Sequence, residues 1–229
     1  MRLAIMQPYL FPYLGYFQLI NAVDAFVAYD DVNYIKGGWI NRNFICAKDH
    51  KQLITLPTQG ASPNKLINQV LVGNGSRKLL QTIRQTYSKA PEFLTVFPLI
   101  EDIFHQEEEN LARFVDYQLR QICEYLGINT TWYISSELKY DKALSGQERV
   151  LAICDEMGAT HYINAEGGQT LYDKGVFSSR DKQLSFLRTK TTPYPQFSNT
   201  FTSHLSIIDV MMFNDKAQCM KLLQGYELV

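Results

Sequence analysis

Three groups of residues in this chain have the types and spacing to do chemistry. Asp30-Asp31 follows the apolar run Ala25–Tyr29. Neighbouring carboxylates raise one another's pKa, so one of the pair is a candidate general base for an amine nucleophile. Shortly after come Lys36, Gly37-Gly38, Trp39, Asn41, Arg42 and Asn43. An arginine flanked by asparagines suits carboxylate, phosphate or sugar hydroxyls, with Lys36 as a second cation. The same stretch reads equally well as a hairpin turning at Gly37-Gly38, its polar side chains in water. Further on, Gly167-Gly168 follows a buried strand and opens a helix, a place where backbone N–H groups meet an anion.

Other constellations have plainer readings. Ser203-His204-Leu205-Ser206 with Asp209 suggests a triad, but Ser206-Ile-Ile-Asp209 is capping-box spacing before an apolar helix. His161 and His204 read as satisfied polar residues at strand edges. Val72-Gly73-Asn74-Gly75-Ser76 lacks the Gly-Lys-Ser/Thr ending of a phosphate loop and reads as a turn into a helix capped by Ser76. Cys46, Cys123, Cys154 and Cys219 have no metal-ligand spacing, and Cys123 and Cys154 fit amphipathic helices as core residues. The run Glu107-Glu108-Glu109 complements the dipole of the helix it precedes.

The elements that must position these residues follow from periodicity. Leu3–Met6 is an apolar run typical of a strand buried on both faces, and Pro8 and Pro12 force an irregular loop after it. A helix over Phe17–Val23 and the strand Ala25–Tyr29 complete a right-handed parallel crossover. The Gln7–Gly15 loop and Asp30-Asp31 then emerge at one edge, beyond the carboxyl ends of the strands, where such sheets bind ligands. Thr130–Ile134, a helix over Val150–Met157 opened by the Ser145…Glu148 capping box, Thr160–Asn164 and Leu184–Leu187 continue the pattern. Gln52–Pro57 is a further short strand. Between them, Arg77–Ala90, Phe93–Phe104 (kinked or split by Pro98) and Leu111–Leu126 form a helical insert at about residues 77–127. The expectation is a single α/β domain over 1–229 with a mostly parallel sheet.

Composition narrows the function. The chain has 229 residues, 46% of them hydrophobic, enough for a continuous core. Its net charge is −1 with no basic stripe, which argues against nucleic-acid partners. No basic-then-apolar leader and no apolar run of membrane-spanning length is present. With its scattered cysteines, the chain reads as a reduced, soluble, cytoplasmic protein.

Gln7-Pro8, Phe11-Pro12, Gly15-Tyr16-Phe17, Asp30-Asp31-Val32-Asn33-Tyr34 and Trp39-Ile40-Asn41-Arg42-Asn43 resemble the WbqC-like protein family. Its members occur in bacterial polysaccharide, O-antigen and natural-product clusters. The resemblance continues through Asn164–Tyr172, Tyr194-Pro195-Gln196 and Leu205–Asp209. It implies a transferase that attaches an acyl or aminoacyl group to a nucleotide-linked amino sugar, with a nucleotide or nucleotide sugar as ligand. Asp30, Asp31 and Lys36 would be catalytic. Gln7, Tyr16, Trp39, Asn41, Arg42, Asn43, Gly167, Gly168, Tyr172 and Gln196 would contact substrate. A more distant similarity is to the nucleotidylyl-transferase-like (HUP) fold, a Rossmann-like sheet. There Pro12-Tyr13-Leu14-Gly15-Tyr16 carries tyrosines where that fold's histidine motif stands, and tyrosine cannot act as a protonated phosphate stabiliser at neutral pH. A nucleotidylyl transferase and a non-catalytic sugar- or nucleotide-binding protein stacking saccharide on Tyr9, Tyr13, Tyr16 and Trp39 are the competing readings.

Overall fold

The computed structural model describes residues 1–48 and 50–229. The first apolar run forms β1 (Arg2–Met6), and the prolines end it because they cannot donate to a ladder. Helix α1 (Leu14–Asn21) leads to β2 (Ala25–Ala28), buried throughout. Four short strands follow: β3 (Arg42–Ala47), β4 (His50–Thr55), β5 (Thr58–Gln59) and β6 (Leu71–Val72). Then come α2 (Ser76–Tyr87), α3 (Phe93–His105), α4 (Leu111–Leu126) and β7 (Thr131–Ile134). Helix α5 (Gly146–Glu156), β8 (His161–Ala165), α6 (Lys174–Ser178) and β9 (Gln183–Thr189) repeat the strand–helix rhythm. The chain closes with α7 (Ile207–Phe213), α8 (Lys216–Leu222) and β10 (Tyr226–Leu228).

The central sheet has the order β10-β9-β8-β1-β2-β7, parallel except for β10. Successive side chains of a strand point to opposite faces, and both faces are covered. Ala4, Phe26 and Ala28 join a core with Phe17 of α1, Ile100 of α3 and Leu119 of α4. Leu3, Ile5 and Val27 meet Leu151 and Cys154 of α5 and Phe177 of α6 on the other side. The protein is thus a mixed α/β structure with a mainly parallel sheet. β1, β2, β7, β8 and β9 are parallel, so their carboxyl ends share one edge, and strand order reverses at β1. That edge is where the candidate chemistry gathers.

Several local expectations are corrected. The hairpin is β3–β4, which turns after Ala47 and not at Gly37-Gly38. Gly37 instead sits at φ +79 in a turn that Arg42 closes by donating from Nε to the Gly38 carbonyl at 2.8 Å. Ser76 is the first residue of α2 and does not cap it; Gly75, at φ +125, precedes it. Helix α3 runs through Pro98 as one helix, with Val96, Phe97, Ile100 and Ile103 all buried. Ser145 precedes α5 without a side-chain cap, and Glu148 takes Arg180 as partner at 2.5 Å. Gly167-Gly168 lies in a 3-10 turn, Glu166–Leu171, and starts no α-helix.

Candidate functional site

The loop after β1 is clamped from three directions. Phe11, at φ +39, donates its N–H to Gln118 Oε1 of α4 at 2.8 Å. Asn43 Nδ2 donates to the Leu10 and Phe11 carbonyls at 3.1 and 2.5 Å. Ser206 Oγ donates to the Phe11 carbonyl at 2.8 Å and accepts from Ile208 N at 3.2 Å, capping α7. Ser206 therefore caps as expected, but Asp209 does not complete the box. It is buried among donors: Tyr87 (2.8 Å), Tyr194 (2.7 Å) and Gln196 Nε2 (2.7 Å). Burial raises the pKa of Asp209, and those three hydrogen bonds only partly oppose it.

The clamped loop presents Tyr9 and Tyr13 to a cleft of about 230 Å³ that they share with Trp39, Asn43 and His204. Tyr9 packs edge-on against buried Tyr16 at 5.1 Å, and Trp39 edge-on against Phe44 at 5.7 Å. Trp39 remains 51% exposed, so its indole is free to stack on a ligand. His204, at φ +57, holds its ring 6.3 Å from that of Tyr13. A non-glycine residue in the left-handed region is strained, and such strain clusters at functional sites. Burial pushes up the Tyr9 phenol, and burial with the Glu166 charge pushes up that of Tyr13, so both stay neutral donors. A narrower extension passes between Tyr13 and His204 towards Thr189, Lys190 and Tyr194.

The paired acids stand in a second cluster, where the exits of β2 and β7 meet. Asp30 accepts from Ser136 N (2.9 Å), Ser136 Oγ (2.7 Å) and Asn68 Nδ2 (3.1 Å). Ser135 Oγ lies 3.0 Å from Asp30 Oδ1 and 2.5 Å from Asp31 Oδ1. Asp31 also takes Tyr140 (2.9 Å), Lys142 (3.0 Å) and Arg149 (2.8 Å). The Arg149 guanidinium lies over the rings of Tyr29 and Tyr140 at 5.2 and 5.4 Å. Burial raises the Asp31 pKa, but hydrogen bonds from Ser135, Lys142 and Tyr140 and the Arg149 charge outweigh it and bring it below 3.8. The shift expected for Asp31 from mutual repulsion thus runs the other way, because hydrogen bonds to its charged form, led by that from Ser135, outweigh burial.

The remaining candidates are dispersed. Gln7 accepts at its carbonyl from the Tyr16 hydroxyl, 3.0 Å away, and Tyr16 is buried. Asn41 is buried, accepting from the Tyr34 hydroxyl and donating to the Leu56 carbonyl, each at 2.8 Å. Lys36 and Gly167 are exposed, and Gly168 packs so closely that a Cβ there would lie 3.0 Å from Asn164 Nδ2. Tyr172 packs with Tyr162 and Phe177 on the α6 face. Gln196 is engaged with Asp209 and the Thr202 carbonyl. Trp39 and Asn43 are the two that line the cleft. Sequence reasoning reads His204 there as a satisfied polar residue, and it does not pick out Ser135, Tyr140, Lys142 and Arg149 around the acids. The available signal was Ser135-Ser136, a polar pair directly after an apolar strand.

Among the described residues, no cluster of His, Cys, Asp and Glu is arranged to hold a metal ion, and no helix is long and apolar enough to cross a membrane. The model of the WbqC-like protein family matches residues 7–220, from the exit of β1 through most of α8. The chain belongs to the WbqC-like protein family. It is similar to uncharacterized protein Rv1507c of Mycobacterium tuberculosis, 31% identical over 222 residues that cover 95% of each chain. No solved structure matches.

Proposed function

We propose that this WbqC-like protein is a transferase that attaches an acyl or aminoacyl group to a nucleotide-linked amino sugar, and that it does so in the Tyr13–His204 cleft. The observation that carries this reading is the convergence of Tyr9, Tyr13, Trp39, Asn43 and His204, from three distant segments, at the carboxyl edge beside the reversal of strand order. The exposed indole face of Trp39 suits a pyranose ring, and the neutral, half-buried phenols of Tyr9 and Tyr13 can donate to its hydroxyls. The His204 imidazole takes the proton as the sugar amine attacks the acyl carbon; a C–N bond forms and the bond to the acyl carrier breaks. Lys36 and Arg42, on the segment flanking Trp39, supply cations for the nucleotide phosphates. In this reading the Asp30-Asp31 cluster holds the edge in shape and does not move protons.

The test is calorimetric titration with a nucleoside-diphosphate amino sugar. Binding that is lost in Trp39→Ala and kept in His204→Ala, with turnover lost in both, is expected; unchanged binding in Trp39→Ala overturns the reading. A nucleotidylyl transferase is favoured by one observation, the parallel sheet whose strand order reverses at β1. Tyr16, at the position of the missing histidine motif, is buried with its hydroxyl on the Gln7 carbonyl and unavailable to a phosphate. ATP binding with pyrophosphate release would select that alternative.

A further inference from the structure

A groove distinct from the cleft runs between β4 and α2. Its wide end, about 770 Å³, is lined by Lys48, Gln52, Gln85, Thr86, Lys89 and Phe197. Its narrow end, about 340 Å³, shares Gln52 and closes at Asn74, Gly75 and Lys78. The two ends share no lining residue with the cleft. Helix α2 spans about 18 Å at 1.5 Å per residue, which sets the length of the trough.

The sequence explains the sign of this surface. Residues 76–89 contain Arg77, Lys78, Arg84 and Lys89 and no acid, in a chain of net charge −1. Leu79, Ile83 and Tyr87 turn inward, which leaves Lys78, Gln85 and Lys89 exposed. Among the described residues no carboxylate lines either end, and Lys48, Lys78 and Lys89 form no ion pair. Phe197 supplies one fixed aromatic face. Its ring stacks on Tyr87 at 6.4 Å and meets Phe213 edge-on at 4.7 Å, and 39% of the residue stays exposed.

We infer that this groove binds an elongated, hydroxyl-rich anion, an acidic oligosaccharide. Cations at both ends meet separated carboxylates or phosphates, while the amides and hydroxyls of Gln52, Gln85 and Thr86 meet ring hydroxyls between them. One aromatic face serves one sugar ring. Single-stranded nucleic acid is disfavoured, because it uses a succession of stacking platforms that the trough lacks.

The test is calorimetric titration of the full chain with a glucuronate-containing hexasaccharide at about 50 mM and about 300 mM salt. Chitohexaose is the neutral control and oligothymidylate the nucleic-acid control. The acidic hexasaccharide binds, binding weakens with salt, and Lys48→Gln/Lys78→Gln/Lys89→Gln weakens it by about tenfold at an unchanged melting temperature. No binding at low salt, equal binding of chitohexaose, tighter binding of oligothymidylate, or undiminished affinity in the triple variant would each overturn the inference.

Discussion

Two polar clusters stand at the carboxyl edge of the sheet, and they differ in what their groups have left to offer a ligand. Around Asp31, every charge has a partner: Arg149, Lys142, Tyr140 and Ser135 converge on one carboxylate that is 6% exposed. Around Tyr13, the indole and imidazole stand open to solvent, while the polar contacts lie one layer below, where Asn43, Ser206 and Gln118 fix the loop. A closed network rigidifies; an open one leaves ring faces and a ring nitrogen accessible. Residue type alone favours the acids as a site, and the structure adds that their side chains are already engaged by protein partners.

The largest expected effect breaks the closed side. Asp31→Ala leaves Arg149 and Lys142 facing each other without their acid and should cost about 3 kcal/mol in urea unfolding, while ligand affinity in the cleft persists in the folded fraction. Next, Asn43→Ala removes two bonds to the loop carbonyls and should cost about 2 kcal/mol, and here cleft affinity falls too. The pH dependence sharpens the contrast. The folded pKa of Asp31 lies below its unfolded value of 3.8, so its contribution is complete above 3.8 and is lost as pH falls through the folded value. The stability gap between wild type and Asp31→Asn, followed by acid titration of circular dichroism, should therefore close below that range. Asp209 has the opposite sign: its raised pKa means that burial costs stability at neutral pH, a cost relieved by acid. The smallest expected effect lies on the open side. His204→Gly relieves the φ +57 strain and should shift stability by no more than about 1 kcal/mol while abolishing turnover.

The parallel strands are legible in the sequence because strands buried on both faces are continuous apolar runs, as Leu3–Met6 and Ala25–Ala28 are. β10 is not, being three residues at an antiparallel edge. The hairpin was displaced because Gly37-Gly38 has turn chemistry, yet the alternating burial that marks a strand begins at Arg42. Of the residues that line the candidate cleft, Trp39 and Asn43 are named from local chemistry. Arg149 was not: it lies 118 residues from Asp31, inside a pattern that reads only as an amphipathic helix. His204 is named and set aside as a satisfied polar residue because Ser206, two residues on, has capping spacing; that cap is real and does not exclude an imidazole beside it. The family resemblance carried by Gln7-Pro8 and Trp39–Asn43 agrees with the match over residues 7–220.

The central claim is that ligand enters the open cleft and not the acid cluster. Amide and indole chemical-shift mapping, during titration with a nucleoside-diphosphate amino sugar, addresses it most directly. The account predicts that the Trp39 indole and the amides of Tyr9, Tyr13, Asn43 and His204 shift together. Shifts confined to Asp31, Ser135, Tyr140, Lys142 and Arg149, with the Trp39 indole unmoved, would contradict it.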